Sequence, residues 1–298
     1  MTVVLTTTIQ RFIGLAADAK PTPPAGSEFY ETDSGATYVY DGSAWQLKAA
    51  GTAALLDAIV TILGTTKTFF WPGLESTGAL VTSYKNENHR LTATDAGSNG
   101  FHPFKHTGGV HSYLFTAADD QHFLGSDAAN ASFASNGAMS LGAWILPEDI
   151  TTVTILSKYD VNVQREYRLG LDGSSKIELE AYDESNNEDR TGASDTAVTA
   201  DEWSFVVVTF DGADANGGMT FYLNGSADGT GNTESGAAWA SLQGTTAPIV
   251  IGANLTTAPT VEREFQGRIA LWFICGKELS AANVSALNPI GQQLLGLA

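Results

Sequence analysis

The sequence has a single cysteine, Cys275, so no disulfide can form within one chain and stability must come from packing. Cys275 ends the run Leu271-Trp272-Phe273-Ile274-Cys275, where a thiol serves as a small buried hydrophobe with nothing to lower its pKa. Basic residues are scarce: 15 Lys and Arg against 33 Asp and Glu leave a formal charge of -18, which repels phosphate backbones and argues against nucleic-acid binding. No apolar run approaches the roughly 20 residues of a membrane-spanning helix, and Met1 to Ala16 lacks the basic start of a secretory signal. The expectation is a protein made in the cytoplasm that is neither inserted in a membrane nor exported by the general secretory route. Also missing are a P-loop, a dinucleotide fingerprint, a Ser-His-Asp signature and paired-cysteine zinc spacing.

What remains suits a packed, globular protein. Hydrophobic residues make up 43% of the 298, including 14 Phe, 9 Tyr and 6 Trp. Residues 1 to 50 form a separate small module, divided by the proline-rich Lys20-Pro21-Thr22-Pro23-Pro24-Ala25-Gly26. After that break, Glu28 to Trp45 carries aromatic stretches separated by Asp33-Ser34-Gly35 and Asp41-Gly42-Ser43, each able to reverse the chain. Three very short strands are expected there, too few to stand without a neighbour.

Phe29, Tyr30, Thr32-Asp33, Gly35, Tyr38, Tyr40, Asp41-Gly42-Ser43 and Trp45 together resemble a module of phage tail and virion proteins. In that module an aromatic strand, a Thr-Asp-x-Gly turn, a second aromatic strand and Asp-Gly-Ser-x-Trp follow one another. The resemblance implies virion attachment through Phe29, Tyr30, Tyr38, Tyr40 and Trp45, with phage capsid or tail proteins as partners. An ordinary hairpin with cross-strand aromatic pairs is the plainer account.

Residues 51–66 read as a short helix and linker, with Leu55, Leu56, Ile59, Ile62 and Leu63 on one face. So short a helix needs that face covered, by the rest of the chain or by copies of itself as a homo-oligomeric seam, a trimer for example.

From residue 67 to 298 the pattern changes to strands of four to eight residues divided by Gly, Asn, Asp and Ser clusters, as in a β-sandwich. The clearest are Ser140 to Ile145, Val153 to Ser157, Tyr167 to Leu171, Lys176 to Tyr182, Ser204 to Phe210, Met219 to Leu223, Ile249 to Gly252 and Gly267 to Ile274. Each is expected to have one buried and one wetter face. Their order resembles the laminin-G-like jelly roll of the concanavalin A-like lectin and glucanase fold. The resemblance is carried by Ser140-Leu141-Gly142-Ala143-Trp144-Ile145, Tyr167-Arg168-Leu169-Gly170-Leu171-Asp172, Glu202 to Gly212, Thr220 to Gly225 and Phe265 to Trp272. A terminal helix capped by Ser280 follows. It implies an antiparallel two-sheet sandwich, a fold that serves receptor binding, lectins and glycan hydrolases alike.

Hydrolases of this fold place acids at alternate positions of one strand. Glu178 and Glu180 share a face, but Tyr182 stands where a further acid belongs and Asp183 points the other way. The chain therefore reads as a non-enzyme. Members of the fold bind calcium at a loop rim, and Asp183, Glu184, Asn186, Asn187, Glu188 and Asp189 in one loop, with Asp119, Asp120 and Asp160 from others, are the candidate ligands against a merely solvated acidic loop. Calcium is the one cofactor this reading allows. Trp239 and Tyr182, together with Trp45, lie in polar surroundings and are the candidates for a platform that binds host glycan, while Trp144, Trp203 and Trp272 belong to the core. His102, His106 and His111 read as structural or surface residues because Pro103 and Gly108-Gly109 prevent their alignment. The combined expectation is a virion-surface structural protein, a capsid decoration or head fibre displaying a lectin-like jelly roll. A tail-fibre receptor-binding protein or a glycan depolymerase are the alternatives.

Overall fold

The computed structural model describes residues 9–65, 67–76, 79–85, 89–94, 101–127, 131–133, 137–161, 164–212, 218–234, 239–257 and 260–297. The chain divides into two compact units, Met1–Ile59 and Val60–Ala298.

The first unit is a four-stranded sheet in the order Arg11–Gly14, Glu28–Glu31, Thr37–Tyr40, Trp45–Ala49. The last three strands are the expected ones. The first was not expected and pairs in parallel with the second. The Asp-Gly-Ser turn works through Asp41: Oδ1 accepts from the Ser43 and Ala44 amides, at 2.7 and 2.8 Å, and from Ser43 Oγ at 2.8 Å. This Asx-type closure sets the register that brings Trp45 opposite Tyr40. The Trp45 ring then gathers the rings of Tyr40, Phe29 and Phe12, with centroids 5.4, 5.9 and 6.1 Å away. At Gly51 an added Cβ would lie 1.6 Å from the Ser34 carbonyl oxygen, so only glycine can lead into the following helix.

That helix, Thr52–Leu63, buries Leu55, Leu56, Ile59 and Leu63 within the single chain. Of the two covers expected for this face, the chain itself supplies one for these four residues, and Ile62 is half-buried.

In the second unit the described strands form two sheets. The 11-stranded sheet runs Thr233–Glu234, Glu188–Ala197, Lys176–Asp183, Gln164–Leu171, Val153–Asp160, Val250–Ile251, His122–Leu124, Arg90–Thr94, Leu80–Thr82, with Asn254–Thr257 and Thr260–Glu262 attached at its side. The 8-stranded sheet runs Ser226–Thr230, Met219–Leu223, Ser204–Phe210, Met139–Pro147, Gly267–Cys275, His111–Phe115, His102–Lys105, with Phe69–Trp71 paired to Gly267–Cys275. Leu141, Val206, Val208 and Ile269 from the smaller sheet meet Leu156, Leu169, Ile177 and Leu179 from the larger in one core. This is the expected antiparallel jelly-roll sandwich.

The eight strands read from sequence are all present. Glu188–Ala197 is an additional one, formed where an acidic loop was expected. The expectation of a wet face fails for the middle of the smaller sheet, where Met139–Pro147, Ser204–Phe210 and Gly267–Cys275 are almost wholly buried on both sides. The helix Ala281–Leu295 accounts for this: a Cβ on Gly291 would lie 2.1 Å from Trp144 Nε1, so the helix backbone rests on the Trp144 indole. Ser280 caps that helix by accepting from the Asn283 amide. Burial pushes the Cys275 thiol up to about 12, in keeping with a packing role. Trp203 corrects another expectation, being only half-buried, with its edge against His106.

Candidate functional site

Side chains of Gln164–Leu171 and Lys176–Asp183 alternate between the core and the outward face of the larger sheet. Leu169, Leu171, Ile177, Leu179 and Ala181 point inward. Arg168, Glu178, Glu180 and Tyr182 consequently point outward, where they meet Tyr159 and Arg165. Together they form a polar face.

The registers explain its pairing. Arg168 stands directly opposite Glu180, and Gly170 opposite Glu178, leaving space for the Glu178 side chain to lean toward the arginine. Arg168 Nη2 lies 2.6 Å from Glu180 Oε2 and 3.3 Å from Glu178 Oε1. The Tyr159 hydroxyl donates to Glu180 Oε1 at 2.5 Å. Burial pushes the Glu178 carboxyl up, with Arg168 pulling the other way. Arg168 thereby ties the two carboxylates together through one guanidinium.

Arg165 makes the second cluster. Its Nε and Nη2 donate to Glu184 at 2.7 and 3.1 Å, and its guanidinium carbon stands 3.7 Å from the centre of the Tyr182 ring. Tyr182 donates from its hydroxyl to Asn187 Oδ1 at 2.9 Å and is only 6% exposed. Its ring face is occupied by Arg165, which corrects the expectation of an open sugar platform.

Trp239 needs the same correction. It is 6% exposed, belongs to the main core and lies 4.9 Å from the buried Arg190 guanidinium. Its polar neighbours in sequence conceal this. The neighbouring Ala240 and Ser241 amides donate to Asp183 Oδ2 at 2.8 and 3.4 Å, which ties the Trp239 segment to the end of strand Lys176–Asp183.

The calcium set does not fit the ion. Asp183 is fully buried, and its oxygens also accept from the amide and hydroxyl of Ser185 and from the amide and side chain of Asn186. Burial opposes its ionisation, but these donors outweigh burial and hold the carboxyl at about 2. Glu184 is bonded to Arg165 and Asp189 accepts from Thr191 Oγ1 at 2.8 Å. Glu188 and Asp189 belong to a strand, not a loop. Asp119 closes a short 3-10 turn and Asp120 follows it in the left-handed region. Calcium takes six to eight oxygens at one point. Among the described residues no three of His, Cys, Asp and Glu converge as such a group. The histidines are placed separately: His106 is buried between Leu295 O and Ser112 Oγ at 3.0 and 2.9 Å, His111 bonds Gly73 O, and His102 is exposed.

Of the attachment residues, Phe29 and Tyr40 are buried and Tyr38 and Trp45 half-buried, while Tyr30 is exposed. Ile9, Ile13 and Leu15 are also exposed on that unit.

No helix among the described residues is long and apolar enough to cross a membrane. No curated protein sequence matches the chain. Solved structures do, over about half of their own length. The botulinum neurotoxin serotype G binding domain matches with a TM-score of 0.53 at 15% identity, covering 75% of this chain and 51% of that one. The binding domain of Paraclostridial Mosquitocidal Protein 1 matches at 0.54 and 12%, covering 75% and 52%. The botulinum neurotoxin serotype D ligand binding domain in complex with N-acetylneuraminic acid matches at 0.52 and 16%, covering 79% and 53%. At such identities the likeness is one of fold. The laminin-G-type family model, described as the concanavalin A-like lectin/glucanases superfamily, matches residues 118–285, more than half of the chain, and the chain belongs to that superfamily.

Proposed function

We propose that the chain is a non-enzymatic surface protein of a bacteriophage virion, a capsid decoration or head fibre, whose jelly roll binds glycan. The observation that carries this reading is the capture of Glu178 and Glu180 by Arg168. A glycosidase of this fold needs one carboxylate free as nucleophile or base, and pairing with a shared arginine opposes that requirement. Glycan binding is supported by the lectin-type fold. The solved serotype D domain that shares the fold carries N-acetylneuraminic acid.

Virion attachment is supported by the aromatic and Asp-Gly-Ser-x-Trp pattern of the small first unit. Its exposed Ile9, Ile13, Leu15 and Tyr30 give it apolar surface of the sort that partners cover. The test is mass spectrometry of purified particles produced with the full chain or with a chain lacking residues 1 to 50. The full chain is expected on particles, and the truncated chain is expected to remain soluble and stay off them. Undiminished incorporation of the truncated chain contradicts the attachment role.

A further inference from the structure

Beneath the outward face lies a buried group of charges that the proposed function does not use. Lys158 projects from Val153–Asp160 and Glu166 from the adjacent Gln164–Leu171, and both side chains are fully buried. Lys158 Nζ lies 3.1 Å from Glu166 Oε2 and 3.2 Å from Asp127 Oδ1, and donates to Thr245 O at 2.6 Å. Glu166 is itself fixed: Oε1 accepts from the Phe133 amide at 2.9 Å, and Oε2 from Ser132 Oγ at 3.1 Å and the Thr245 amide at 3.3 Å.

Such a burial is costly for an ion pair that does nothing else, since desolvation offsets much of the attraction. The geometry instead assembles an amine, a carboxyl carbon and an acid–base group. We infer that Lys158 and Asp127 condense to an intramolecular isopeptide bond, with Glu166 relaying the protons.

The atoms balance without any further reactant. Glu166 takes a proton from the Lys158 ammonium, and the freed Nζ lone pair attacks Asp127 Cγ. The N–C bond forms and one Asp127 oxygen departs. It leaves as water, with two protons that began on Nζ and passed through Glu166. The third proton stays as the amide N–H, and Glu166 returns to its carboxylate. Fixing the reactants in contact supplies the high effective concentration that the reaction needs. Burial pushes the Glu166 carboxyl up, which suits a group that must hold a proton in passing. Asp127, whose side chain is 38% exposed, stands at the rim and gives the water a way out. The bond would cross-link the chain covalently where its single cysteine cannot.

The test is the intact mass of the purified full chain, followed by peptide mapping. The expected mass is lower than the sequence mass by one water, with a branched peptide joining Asp127 to Lys158. Asp127→Ala, altered at a partly exposed position, is expected to fold and keep its full mass, and Glu166→Gln to cross-link slowly or not at all. A folded wild-type chain that retains its full mass after prolonged warming overturns the inference. So does a water loss that maps to other residues or persists in Asp127→Ala.

Discussion

Arg168 and Glu180 stand directly opposite one another on neighbouring antiparallel strands, with Nη2 of the first 2.6 Å from Oε2 of the second. The same nitrogen reaches Glu178, because the residue facing Glu178 is Gly170 and no side chain intervenes. One arginine thereby holds both members of the acid pair most suggestive of hydrolysis.

Removal of the arginine should expose its role. Arg168→Met leaves two mostly buried carboxylates side by side, and a loss of about 2 to 4 kcal/mol is expected in urea unfolding. Adding Glu180→Met to that variant should recover part of the loss, since one of the two stranded charges disappears with it. Additive losses in the double variant would mean that the pair does not act as a unit.

Trp239 is expected to behave as core. Trp239→Ala should lower stability by about 3 to 5 kcal/mol, the range for emptying an aromatic site in a packed interior. The unfolding midpoint measures this directly. A change below 1 kcal/mol, about the size of a surface effect, would return the residue to the surface.

Asp183 should contribute a pH-dependent term. Its folded carboxyl is held at about 2, below the ordinary 3.8, so the unfolded chain binds the proton more readily. The stabilisation is therefore fully present above about pH 4 and lost as pH falls through about 2. It amounts to roughly 2 kcal/mol. The stability difference between wild type and Asp183→Asn should be constant at neutral pH and shrink below about pH 4. A difference independent of pH would show that the carboxylate's charge is not what the four donating residues hold.

Phe29 and Tyr30 are neighbours in sequence and should give opposite phenotypes. Phe29 packs against Trp45 inside the first unit, whereas Tyr30 is exposed. Phe29→Ala should loosen that sheet, seen as faster amide exchange at Thr37–Tyr40. Tyr30→Ala should leave exchange unchanged and weaken incorporation into particles.

The sandwich was legible because its central strands, such as Ser204–Phe210, are runs of β-branched and aromatic residues bounded by turn formers. Glu188–Ala197 was not, because its inward positions are Arg190, Gly192 and Ser194, which carry no hydrophobic period. Trp239 was misplaced for a related reason: Arg190 and Asp183, 49 and 56 residues away in sequence, create its buried setting. The outward direction of Arg168 follows from its alternation with Leu169 and Leu171. Its two partners follow only from register, which the sequence of one strand does not contain. Lys158 and Glu166 fall in runs that read simply as strand, and their meeting likewise depends on pairing and on a bulge between Lys158 and Tyr159.

The most direct measurement is a reducing-end assay on a panel of polysaccharides, run beside a binding assay with the same panel. Retention of a glycan with no new reducing ends, unaltered in Glu178→Gln and Glu180→Gln, is the predicted result. Release of reducing ends by the wild-type chain, abolished in Glu180→Gln, would contradict the non-enzymatic reading and make the chain a hydrolase.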